Sequence, residues 1–166
     1  MAQSSNPIAA TFAPHDHQEC AHRALDEAAA RLAEQGARLT PVRRRTLEIL
    51  LESHRALGAY EVLDRLAAEG FGRQPPVAYR ALEFLVGHGL VHRLQRLNAF
   101  TACLHPGDDH HPAFLICRSC DKVAEAVGVP IRDSLTEIAG RGGFQVERAT
   151  IEAVGLCATC AAGGAE

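Results

Sequence analysis

The sequence predicts an α+β protein: a winged helix-turn-helix followed by a small α/β module. Three observations predict it. Apolar residues recur at helical spacing in four segments before residue 90, and two short apolar runs follow them. Beyond residue 104 the pattern changes to strands and loops around two matching motifs, "CRSC" at 117–120 and "CATC" at 157–160. The charge divides at the same place. Residues 36–100 carry 10 Arg against 6 acids, whereas 101–166 carry 5 basic residues against 9 acids. A basic half joined to an acidic half points to two modules, one of them suited to face phosphate despite a net charge of −3.

Each element has its own local signal. Residues 1–18 are polar and punctuated by Pro, and are expected as a flexible tail ahead of domains over 19–102 and 103–166. From Cys20 to Gln35, Leu25, Ala28, Ala29 and Leu32 mark an Ala-rich helix that Gly36 stops. In "RLTPVRRRTLEILLES" Thr40 suits an N-cap and Pro41 the first helical position. Val42, Leu47, Leu50 and Leu51 give that helix its buried stripe. "AYEVLDRLAAEG" is a third helix, ended by Gly70. "VAYRALEFLVGHG" is the fourth, with Leu82, Leu85 and Val86 inward and Gly87 and Gly89 at its end. "LVHRL" and "AFTAC" read as two strands around a turn near Arg96–Asn98, which makes the wing. "AFLIC" and "KVAEAV" flank the first cysteine pair, "IRDSLTEIAGRGG" is a helix, and "FQVERATIEAVGLC" is a long strand entering the second pair.

Composition narrows the setting. Hydrophobic residues make up 47% and aromatics 5%, so the core is built from Ala, Leu, Val and Ile. The N-terminus lacks a cationic stretch followed by an apolar run, and no segment approaches the ~18 apolar residues of a membrane span. A cytoplasmic protein with reduced thiols is expected, in which paired cysteines are metal ligands or redox catalysts rather than disulfides.

Cys117, Cys120, Cys157 and Cys160 match the four-thiolate set of a structural zinc site. A strand–CxxC–strand unit is a knuckle in which two sulfurs converge. Redox chemistry would need a CxxC at a helix start, and the residues around Cys117 read as strand instead. Catalytic zinc is weaker still. There is no HExxH, the one HxE (His17–Glu19) lacks a following PCxxC, and four thiolates leave no position for water. An enzyme is not expected. A second group of candidates surrounds the junction: His92 on one wing strand, Cys103 at the end of the other, then His105, His110, His111 and Glu125.

The chain resembles the ferric uptake regulator superfamily of metal-sensing repressors. "RLTPVRRRTLEIL", "AYEVLDRL", "PPVAYRALEFLVGHGLVHRL", "FLICRSCDKVAEAV" and "GLCATC" carry the likeness, which extends from about residue 21 to 160. The resemblance implies that the C-terminal α/β module is a dimerisation domain, that the protein is a homodimer, and that its partner is double-stranded operator DNA. Within the superfamily it is most similar to the zinc uptake regulators. Iron sensors carry a His-rich run before the first CxxC, where this chain has "PAFL", with Ala113 and Phe114 in place of ligands. The likeness implies His92, Cys103, His110 and Glu125 as a regulatory set, with His105 or His111 as replacements for His110. One thiolate, two imidazoles and one carboxylate suit tetrahedral zinc, and the sulfur disfavours iron or manganese. Two zinc ions per chain are expected, one structural and one regulatory.

The same likeness makes Tyr79 and Arg80 the base-facing pair of the fourth helix and places Arg43, with Arg44 or Arg45 nearby, for phosphate contact. Arg suits guanine O6 and N7, and an aromatic ring packs on a thymine methyl. Val77 stands where relatives have Ser or Thr, so the helix start must rest on Pro75 and Pro76 rather than on a side-chain cap. The expected function is zinc-responsive repression of zinc-uptake genes. The competing expectations are a sensor of iron, manganese or peroxide on the same fold, and a zinc-dependent enzyme.

Overall fold

The computed structural model describes residues 7–12, 17–104, 106 and 111–163. In chain order the elements are α1 (Pro7–Phe12), α2 (His17–Glu34), α3 (Pro41–Leu51), α4 (Ala59–Ala68), α5 (Pro75–Gly87), β1 (Val91–Leu94), β2 (Ala99–Ala102), β3 (Pro112–Cys117), β4 (Val123–Val127), α6 (Val129–Arg141), β5 (Ile151–Gly155) and α7 (Ala158–Ala161). They form two compact units. One is Pro14–Gly107. The other combines Met1–Ala13 with Asp108–Glu166.

The first unit is a helical bundle with a wing. Pro41 opens α3 after an extended Thr40, and Pro75 opens α5 after an extended Gln74. Neither helix has a side-chain cap, because the fixed φ of Pro presets the first turn and its missing N–H removes one unpaired donor. Thr40 therefore stands at the predicted N-cap without making the predicted side-chain bond; its carbonyl accepts from Arg44 N–H at 2.8 Å instead. At α4 the Gly58 N–H donates to the Glu61 carboxylate at 2.7 Å. Gly89 ends α5 at φ +69°, where a Cβ would be strained. Its N–H reaches Val86 O at 3.0 Å, and Leu90 N–H reaches Leu85 O at 2.9 Å. These bonds satisfy the last carbonyls of the helix and turn the chain into the wing.

Leu32, Ile49, Leu50, Val62, Leu66, Leu82 and Leu85 form the centre of this core. Ile49 joins the α3 stripe, and Val86, expected inward, is 37% exposed. β1 and β2 pair antiparallel with His92 opposite Thr101, and Asn98 takes the left-handed φ of +46° at the turn. Leu57 adds a further rung to the wing through two bonds with Phe100, at 2.9 and 2.8 Å.

The second unit is a three-stranded sheet in the order β4-β3-β5. β3 is antiparallel to β4 and parallel to β5, with α6 as the crossover. Two expectations change here. The region read as a tail contains α1, whose Ile8, Thr11 and Phe12 share one face at i, i+3 and i+4; Thr11 is buried, and α1 packs against β4. The long strand over 144–157 reduces to Ile151–Gly155, because β3 offers Ala113–Cys117 as its only pairing partners.

Candidate metal centre and nucleic-acid face

β3 delivers Cys117 into a tight turn. Asp121 N–H donates to Cys117 O at 3.0 Å, Asp121 adopts φ +58°, and Cys117 N–H returns to Lys122 O at 2.9 Å. This knuckle swings Cys120 back beside Cys117. Arg118 N–H donates to Gly155 O at 2.9 Å, which ties the end of β5 to the same turn. Cys157 then N-caps α7, and its N–H points at Cys117 Sγ at 3.4 Å. Cys120 Sγ and Cys157 Sγ are 4.0 Å apart, and the four sulfurs all lie within 4.8 Å of one another. A tetrahedral zinc with bonds of ~2.3 Å sets its sulfurs ~3.8 Å apart. The donor set fits that ion.

The thiol electrostatics fit as well. Backbone N–H groups, that of Cys157 foremost and then that of Cys120, hold the Cys117 thiol down at about 6. Burial pushes Cys120 up. The Ser119 hydroxyl favours a Cys160 thiolate, but the neighbouring Cys157 thiol and burial outweigh it and push Cys160 up to about 12. Each thiolate formed here makes the next more costly, and a divalent cation removes that conflict. The redox reading fares worse. Of the four clustered thiols, the one with a lowered pKa sits on a strand, and the helix that Cys157 caps has only four residues.

The second candidate group is divided between the two units. In the helical unit, His92 on β1 and Cys103 just past β2 bring a ring nitrogen and a sulfur within 4.8 Å. The 2.9 Å bond from Cys103 N–H to Leu90 O anchors the cysteine, whose side chain is buried. In the sheet unit, Glu125 is buried on β4 at the register position of Phe114. His110 and His105 lie outside the described residues. His111 is held at Nε2 by the guanidinium of Arg132.

The residues expected to face nucleic acid are also in the helical unit. α5 starts at Pro75, so Tyr79 and Arg80 fall in its second turn; both are exposed. Tyr60, near the start of α4, meets Tyr79 edge to face at 6.4 Å and is 63% exposed. Tyr60, two residues past the Gly58 cap, is not singled out by the sequence reading. The three consecutive arginines have separate situations. Arg43 lies 3.4 Å over the Phe84 ring. Arg44 pairs with Glu48 at 3.1 Å on the same helix face. Arg45 is clamped by Glu69 at 2.6 and 2.7 Å and by Glu52 at 2.9 Å, so it braces α3 against the end of α4. Its hydrogen bonds with Glu69 raise its already high pKa further.

Comparison with known proteins agrees with this architecture. The ferric uptake regulator family pattern matches residues 34–154. The zinc uptake regulation protein of Escherichia coli (strain K12) is 36% identical over 129 residues, covering 77% of this chain and 75% of that protein. A solved zinc uptake regulator complexed with zinc and DNA superposes with a TM-score of 0.79 at 33% identity, covering 90% of this chain and 97% of the other. The crystal structure of holo XcZur gives 0.75 at 38% identity, covering 83% and 96%.

Proposed function

This chain belongs to the ferric uptake regulator family, and from that premise we propose that it is a zinc-responsive transcription regulator. It binds operator DNA as a homodimer and represses zinc-uptake genes in the cytoplasm. It is a regulator and not an enzyme. Among the described residues no helix is long and apolar enough to cross a membrane. The dimer reading is supported by α6, which buries no residue of its own and exposes Val129, Ile131, Leu135 and Ile138.

The observation that carries the zinc reading is a second soft-donor pair, His92 with Cys103, separate from the four clustered cysteines. We assign one structural zinc to Cys117, Cys120, Cys157 and Cys160, and one regulatory zinc to His92, Cys103, His110 and Glu125. Held by His92, Cys103, His110 and Glu125, zinc would supply a positive centre that draws these donors together. His92 fixes the wing to that set, Cys103 fixes the segment that leaves the wing, and Glu125 holds the sheet side. Loading then favours one pose of the reading units in the dimer, which raises the population able to present both α5 helices to DNA. Tyr79 and Arg80 face bases, while Arg43 and Arg44 face phosphates.

The test is a binding titration on a duplex selected from a random library by the zinc-loaded protein. Free zinc is expected to tighten binding ~5–150-fold, the range of ordinary coupling energies, while iron and manganese leave it unchanged. Cys103→Ser should keep the dimer and one zinc per chain but lose the zinc response. Wild-type affinity in Cys103→Ser, or an equal response to iron, would overturn the assignment.

A further inference from the structure

Three adjacent arginines open α3, and the structure treats them unequally. Arg44 forms an exposed pair with Glu48, and Arg45 is held by Glu52 and Glu69. Among the described residues Arg43 makes no ion pair. Its guanidinium instead lies 3.4 Å over the ring of Phe84, and its Nη1 donates to Arg38 O at 3.3 Å. Phe84 is itself held in place. It packs against the leucine core, and the His88 ring stacks on it at 4.0 Å with a 33° tilt. The His88 ring is fixed in turn by a 2.7 Å bond from Nδ1 to Phe84 O, which puts the proton on Nδ1. Arg43 and Arg80 line one cleft, together with Thr40, Gln74 and Pro76.

We propose that Phe84 is a positioning residue for DNA binding: its ring, backed by His88, holds Arg43 ready for a backbone phosphate. This rests on the functional reading above. A guanidinium stacked by its face keeps its edge donors free for phosphate, and the aromatic surface orients it without cancelling its charge. A carboxylate partner would orient it too, but would compete with the phosphate. Ordering a long side chain on folding also removes that cost from the binding step. Phe84 touches no nucleic acid in this scheme; it acts through Arg43.

A double-mutant cycle on the library-selected duplex, with zinc saturating, tests the idea. Phe84→Leu should weaken binding by ~5–10-fold and lower the slope of log affinity against log salt by ~1.8 per bound dimer, the signature of one lost phosphate contact in each protomer. Arg43→Gln should do the same, and the double variant should be no weaker than Arg43→Gln alone. Phe84→Tyr, which keeps the ring, should bind like wild type. Arg43→Lys keeps the charge, gives up the planar stack, and needs no change in the core. It should bind several-fold more weakly than wild type, and this decides the matter if Phe84→Leu does not fold. Losses that multiply in the double variant, an unchanged salt slope in Phe84→Leu, or full affinity in Arg43→Lys would each overturn the inference. A wild-type protein without zinc-dependent binding fails the functional reading instead.

Discussion

The helical unit and the sheet unit bury their apolar residues in different ways. In the first, Leu32, Ile49, Leu66, Leu82 and Leu85 are fully enclosed by four helices and a wing. In the second, β3 and β4 bury Ala113, Phe114, Ile116, Val123 and Ala124, but α6 buries none of its residues and β5 none of its own. Phe144, Val154 and Leu156 are exposed as well. The first unit therefore has the core expected of a self-sufficient fold. The second has a thin core, and its thiols gather the turn after β3 to the end of β5. The difference supports the proposal that one half depends on burial and the other on a metal ion and a partner copy.

Breaking the thiol cluster is the harshest test of that contrast. Structural zinc sites contribute ~10–16 kcal/mol of apparent binding free energy, which is also folding free energy. Cys120→Ser removes a ligand from a set whose sulfurs lie within 4.8 Å of one another. Hydrogen exchange should then show β3, β4 and β5 losing protection while α3, α4 and α5 keep theirs. A sheet unit that stayed protected after this substitution would erase the proposed asymmetry.

Leu82→Ala makes the converse test. Leu82 is fully buried between the helices. Its truncation leaves a cavity and should cost about 2–5 kcal/mol of stability in the helical unit. Urea unfolding followed by helical signal should register that loss, while the zinc bound by the four cysteines stays at its wild-type level. Loss of this zinc in Leu82→Ala would mean the units are not energetically separate.

Legibility in the sequence followed the same divide. The helices and wing could be read because their signals are local: Pro41 and Pro75 at starts, Gly70 and Gly89 at ends, and leucines at helical spacing between them. The cysteine pairs could be read because their spacing is the chemistry. What escaped depends on distant partners. α1 is six residues long, too short for a periodic signal, and its apolar face gains meaning only beside β4. β5 is as long as β3 allows, whatever its own sequence favours. Arg45 reads as a neighbour of the phosphate contacts and Phe84 carries no reading of its own; their partners, Glu69 and Arg43, are 24 and 41 positions away and carry no pattern that points to them.

The Arg45 clamp supplies the mildest test, within the self-sufficient unit. Arg45 holds the Glu69 carboxyl below its ordinary value of 4.5, through hydrogen bonds first and charge second. A carboxyl with a lowered folded pKa stabilises the fold above its unfolded value, and that contribution fades as pH falls through the folded one. Glu69 is well exposed, so solvent screening keeps the effect small. Arg45→Gln should therefore lower Tm slightly at pH 7, and the gap to wild type should close as the pH drops below 4.5 toward 3. Thermal melts across that range read the difference directly. A gap that persisted unchanged at pH 3 would show that Arg45 braces α3 and α4 by packing its aliphatic stem rather than by its charge.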